Sequence, residues 1–144
     1  MNLFNPSGLE IRNDFSELRR MSNWIQETGM KLGLPPSLLF DLDLCANEVV
    51  TNIIDYAYED HACHAIRLYL AHEDCLVSLE IQDDGLPFNP LETPPVVHAT
   101  TLEDAKVGGL GVQLVRSLMS DSRYSRRNGQ NILTLRVNFA PVGS

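Results

Sequence analysis

Glu48 and Asn52 are four residues apart, the interval that stacks two side chains on one side of a helix. At about 100° per residue, Asp41, Glu48, Asn52 and Asp55 share a stripe of roughly 60°. A carboxylate and an amide one turn apart can do complementary work. Asn52 offers a hard carbonyl oxygen, which magnesium accepts together with phosphate oxygens and water, and Glu48 is placed to take a proton from an attacking hydroxyl or water. On its own the pair reads more simply as a solvated helix face. Its weight comes from two further motifs on its C-terminal side.

Ile81-Gln82-Asp83-Asp84-Gly85-Leu86-Pro87-Phe88 sets an acid and a glycine at the end of an apolar run. Asp83 can accept a hydrogen bond from an exocyclic amine, and Gly85, with no Cβ, lets a flat ring lie against the backbone. The other reading is a plain turn, for which Asp-Gly is a common dipeptide. Further on, Gly108, Gly109 and Gly111 crowd three glycines into four positions ahead of a helical pattern. Free backbone N–H groups and a helix N-terminus can cradle phosphate there, although a hinge fits the same composition. No Gly-Lys-Ser/Thr comes after them, so this is not a Walker loop.

These residues need elements to carry them. Gly8 to Asp14 alternates as an edge strand would, and Leu18, Met21 and Ile25 recur at helical steps between Phe15 and Met30, with Gly29 and Gly33 marking the stop. Pro35, Pro36 and Ser37 open a longer helix whose apolar face is Leu38, Leu42, Ala46, Val49, Ile53 and Ala57. Ala65 to Ala71 and Leu76 to Asp83 read as a hairpin, Val112 to Met119 as a short helix, and Ser122 to Arg126 with Ile132 to Phe139 as a second hairpin about Asn128-Gly129. Pro87, Pro90, Pro94 and Pro95 fit no regular element. A long irregular stretch of this kind, approximately 89–108, is expected to be an active-site lid. The order implies α/β (α+β) architecture: a mixed or antiparallel sheet with helices packed on one face, in a single domain over 1–144.

The chain has 144 residues, 44% hydrophobic and 21% charged, which suits one folded domain. A formal net charge of -8 argues against broad attraction to nucleic acid or to an anionic membrane, both of which need a positive field. Cys45, Cys63 and Cys75 lack CxxC spacing and read as reduced thiols in a cytoplasmic protein. His61, Cys63, His64, His72 and Cys75 cluster in sequence but match no standard zinc spacing. Arg126 and Arg127 should point to opposite faces of a strand as solvated charge, with a docking patch for an acidic partner as the other reading.

Taken in order, the motifs resemble those of the GHKL ATPase superfamily, and within it the anti-sigma-factor serine/threonine kinases, whose catalytic domains are histidine-kinase-like. E-x-x-x-N at Glu48 and Asn52, with Asp55-Tyr56-Ala57-Tyr58 just after it, looks like the family's N-box; D-x-G-x-P-F from Asp83 to Phe88 looks like its adenine motif; Gly108 to Leu135 looks like its glycine-rich box and closing hairpin. Three motifs in the right order are far more specific than any one of them. The resemblance implies a Bergerat-type two-layer sandwich binding ATP and Mg2+. It assigns Glu48 to proton abstraction, Asn52 to the metal, Asp83 and Gly85 to adenine, Gly108, Gly109 and Gly111 to phosphates, Thr134 to a water-mediated adenine contact, and Lys106 to the terminal phosphate. Asp55 departs from relatives that often carry a basic residue at its position. The implied partners are a STAS-type anti-sigma antagonist and a sigma factor, with a homodimer through the first strand and helix. The expected activity is transfer of a phosphoryl group from ATP to the antagonist, and the alternative is an ATP-dependent partner-switching protein without transfer.

Overall fold

The structure is a computed structural model and describes residues 7–92 and 111–140. Along the chain run β1 (Ser7–Arg12), a 3-10 turn (Phe15–Glu17), α1 (Leu18–Lys31), α2 (Pro36–Tyr56), β2 (Ala65–Glu73), β3 (Leu76–Asp83), α3 (111–118), β4 (Asp121–Arg127) and β5 (Gln130–Asn138). The five strands make one sheet in the order β1-β2-β3-β5-β4. Every pairing is antiparallel, so of the two arrangements the sequence left open, the mixed sheet is not the one formed.

Alternation along the strands explains the two-layer build. Ile66, Leu68 and Leu70 of β2, Val77, Leu79 and Ile81 of β3, and Leu133, Leu135 and Val137 of β5 all turn inward and are buried. They meet Met21 and Ile25 of α1 and Leu42, Ala46, Val49 and Ile53 of α2 in one apolar core. Residues between them on each strand, such as Arg67, Glu80, Thr134 and Arg136, lie on the opposite face. A one-residue slip in register would exchange the two sets, so burial of one face holds the register.

The ends of the elements obey local chemistry. Pro36 opens α2 in its first turn, where the absent N–H is not missed. α1 ends in a Schellman motif: Leu34 N–H donates to Gly29 O at 3.0 Å and Gly33 N–H to Met30 O at 3.1 Å, with Gly33 at φ 76°. Gly29, expected to help stop this helix, instead lies inside it. Its Cα presses so closely on Leu39 of α2 that an added Cβ would overlap that side chain. The β4-β5 hairpin turns through Asn128 and Gly129 at φ 53° and 76°, the left-handed pair that a tight two-residue hairpin requires.

Candidate functional site

α2 is the spine of the site, because three different segments meet it at successive turns. Near its middle, Gly111 at the start of α3 lies against the Glu48 carboxylate, closely enough that a Cβ would overlap it. One turn further, the Asn52 side chain is 6% exposed and donates from Nδ2 to the carbonyl of Pro90 at 3.1 Å and toward Glu48 Oε1 at 3.4 Å. At the helix end, Leu86 N–H donates to Ala57 O at 2.8 Å. There Gly85 packs so tightly on Ala57 that a Cβ would strike its carbonyl. Phe88 completes this contact against Tyr56, with ring centroids 5.8 Å apart.

Asp83 closes β3 and is 2% exposed. Its Oδ1 accepts from Gly85 N–H and from Asn131 Nδ2, both at 2.9 Å. Its Oδ2 is buried with no hydrogen-bond partner. Burial pushes the Asp83 carboxyl above the usual carboxylate range, against the pull of those two hydrogen bonds. Burial likewise raises Glu48, offset in part by the Asn52 amide, and it raises Asp55, which stands exposed beside them on α2. A buried acid that lacks full pairing, as Asp83 does, is characteristic of working sites.

Of the nine residues singled out from the sequence, Glu48, Asn52, Asp83, Gly85 and Gly111 come together in the fold along α2. Lys106, Gly108 and Gly109, and the part beyond residue 92 of the stretch expected to be a lid, lie outside the described residues. Thr134 is a correction. The register pairs Asp83 with Asn131 and Glu80 with Thr134, so strand alternation sends Thr134 to the sheet face away from α2. Asn131, which lies in the closing hairpin but has no role assigned from the sequence, takes the place beside Asp83.

Arg126 stands exposed, as expected of it, and its Nη1 also donates to Gly85 O at 2.7 Å, tying the turn after β3 to β4. His64 lies among the cysteines in sequence as a possible metal ligand. Its two ring nitrogens instead face Asp60 at 2.8 Å and Asp84 at 3.2 Å, and its ring stacks on Tyr58. Cys45 is buried with its thiol pushed up to about 12, chiefly by desolvation, while Cys63 and Cys75 are exposed and free. Among the described residues, no helix is long and apolar enough to cross a membrane.

Residues 11–137 match the family model described as a histidine kinase-like ATPase domain. A serine/threonine-protein kinase, BtrW, of Bordetella bronchiseptica is 37% identical over 120 residues, covering 82% of this chain and 83% of its own length. A serine-protein kinase, RsbW, of Oceanobacillus iheyensis is 25% identical, covering 72% of this chain and 68% of its own. The anti-sigma F factor of Bacillus subtilis is 26% identical, covering 78% and 80%. Among solved structures, the histidine kinase domain of the Erythrobacter litoralis blue-light-activated kinase superposes with a TM-score of 0.54 at 19% identity. That match covers 86% of this chain and 60% of the other, and it speaks to the fold alone.

Proposed function

The chain belongs to the histidine kinase-like ATPase family and is a serine/threonine protein kinase of the anti-sigma-factor type, and we propose that it transfers the γ-phosphoryl group of ATP to a small antagonist protein and sequesters a sigma factor. The observation that carries the nucleotide part is Asp83 Oδ2, a buried acceptor with no donor. An unmet buried acceptor costs about 1–3 kcal/mol, and the exocyclic amine of adenine is a donor of the right kind to meet it. Gly85, flush against Ala57, holds the turn that carries Asp83 against the end of α2.

The phosphate end would then lie toward Glu48 and Gly111. Glu48 and Ala57 are nine residues apart on α2, about 14 Å along a helix axis, a span suited to an extended nucleoside triphosphate. Asn52 has its amide nitrogen engaged, which leaves its carbonyl oxygen as the end a cation would take. Mg2+ held there would neutralise phosphate charge. The Glu48 carboxylate, its affinity for protons raised by burial, would accept the proton of a serine or threonine hydroxyl. The hydroxyl oxygen bonds to the γ-phosphorus as the bond to ADP breaks. Gly108, Gly109 and Lys106 keep their assigned roles at the phosphates by resemblance. β1, at one edge of the sheet, and α1 would supply a homodimer contact. The protein would act in the cytoplasm, regulating transcription through its two partners.

The test is transfer of label from γ-labelled ATP to antagonist proteins encoded beside its gene. Wild type should label a serine or threonine of one antagonist, and Glu48→Ala should not. Tight ATP binding with no transfer to any candidate would instead identify a nucleotide-dependent partner switch.

A further inference from the structure

Asn131 is 1% exposed and lies opposite Asp83 in the β3-β5 register. Every hydrogen-bonding position of its side chain is filled. Oδ1 accepts from Phe88 N–H at 3.1 Å and from the Tyr124 hydroxyl at 2.5 Å. Nδ2 donates to Leu86 O at 2.8 Å and to Asp83 Oδ1 at 2.9 Å. A backbone amide can only donate and a backbone carbonyl can only accept, so Phe88 and Leu86 together allow one orientation of this amide and forbid the flipped one. Asp83 Oδ1 therefore always faces a donor. With Gly85 N–H also on that oxygen, Oδ1 is filled and Oδ2 is the acceptor left open.

We propose that Asn131 is a positioning residue that sets the nucleobase preference of the site: by occupying Asp83 Oδ1 it leaves a single acceptor, which admits adenine and rejects guanine. The inference rests on the nucleotide reading above. A free carboxylate is not by itself selective against guanine, whose pairing edge presents a ring N–H beside an amino group. Two neighbouring donors suit two carboxylate oxygens side by side. Once Asn131 has filled one oxygen, a guanine would bury one donor without an acceptor, and buried unmet donors are the costly case. Adenine offers one amine to the one open oxygen. Tyr124 acts a step further back by holding Asn131 Oδ1 in place.

Calorimetric binding of Mg-ATP and Mg-GTP to wild type, Asn131→Leu and Tyr124→Phe tests this, with thermal melts run in parallel. Wild type should prefer ATP on the order of a hundredfold. In Asn131→Leu the ratio of GTP to ATP dissociation constants should fall by about tenfold or more, and in Tyr124→Phe by roughly threefold. A loosened loop would weaken both nucleotides alike and leave the ratio where it was. An unchanged ratio in a folded Asn131 variant overturns the proposal. Asn131→Ala, which removes the same amide without adding bulk, decides the matter if Asn131→Leu does not fold. Equal wild-type affinity for ATP and GTP also overturns it while leaving the nucleotide site standing. A wild-type protein that binds neither removes both readings.

Discussion

Two corners of this molecule treat carboxylates in opposite ways. At the start of α1, Glu17 accepts from Arg12 N–H at 2.9 Å and from Arg20 Nε at 3.2 Å and Nη2 at 2.8 Å. The Arg20 guanidinium and the Arg12 amide hold its carboxyl well down, to about 2. Beside α2, Asp83 has one oxygen served twice and the other not at all, and Glu48 has the Asn52 amide at 3.4 Å beside it. Burial pushes both upward. The first acid is arranged to hold a chain turn together. The other two are held at some cost to the fold, which makes sense when a ligand supplies what the protein withholds.

The contrast can be broken most forcefully at Glu48. Glu48→Gln keeps shape and removes the proton acceptor, so phosphotransfer measured with labelled ATP should fall by about 10²–10⁴ while ATP affinity changes little. Asp83→Asn should weaken ATP binding by calorimetry on the order of a hundredfold, because an amide cannot present two acceptors, one to Asn131 and one to adenine. Gly85→Ala drives a Cβ into the Ala57 carbonyl and should lower stability in denaturant titrations by about 1–3 kcal/mol.

The smallest effect sharpens the comparison through pH. Glu17 has a folded-state carboxyl below its unfolded value, so the stability it gives is present above about 4.5 and is lost as pH falls toward about 2. Asp83 and Glu48 are shifted the other way, so their ionisation opposes folding at neutral pH and that opposition is relieved as pH falls through their raised folded-state values. Thermal melts should therefore show Glu17→Gln flattening the acid limb between those limits. Glu48→Gln should melt no lower than wild type at pH 7. A lower melting temperature for Glu48→Gln would place Glu48 among the structural acids.

Much of this is legible in the amino-acid order alone. Helical spacing locates Glu48 and Asn52, and the change from a strand pattern to Asp-Asp-Gly locates the turn that carries Asp83, because periodicity and turn chemistry are local properties. Partners across the sheet are not local. Asn131 reaches Asp83 over 48 residues and Arg126 reaches Gly85 over 41, and both contacts depend on the β3-β5 and β4-β5 registers. Thr134 is picked out by motif content, which fixes a strand but not which of its residues face the helices. Counting by twos from Asn131 gives Leu133 and Leu135 and passes Thr134 by. Gly29 misleads for a related reason: a glycine that ends a helix and one that lets a neighbour close in look alike until the neighbour is known.

Because one uninterrupted helix carries Glu48, Asn52 and the Ala57 end, the molecule has a built-in measuring rod. Substitutions can change what each mark on the rod does, but none can alter the distance between marks. A single residue inserted between Asn52 and Ala57 would advance one end by about 1.5 Å and swing it by about 100°, turning that end away from its partners. Lineages that adapted this scaffold to longer or shorter molecules would have had to redraw the surrounding loops and leave the rod uncut.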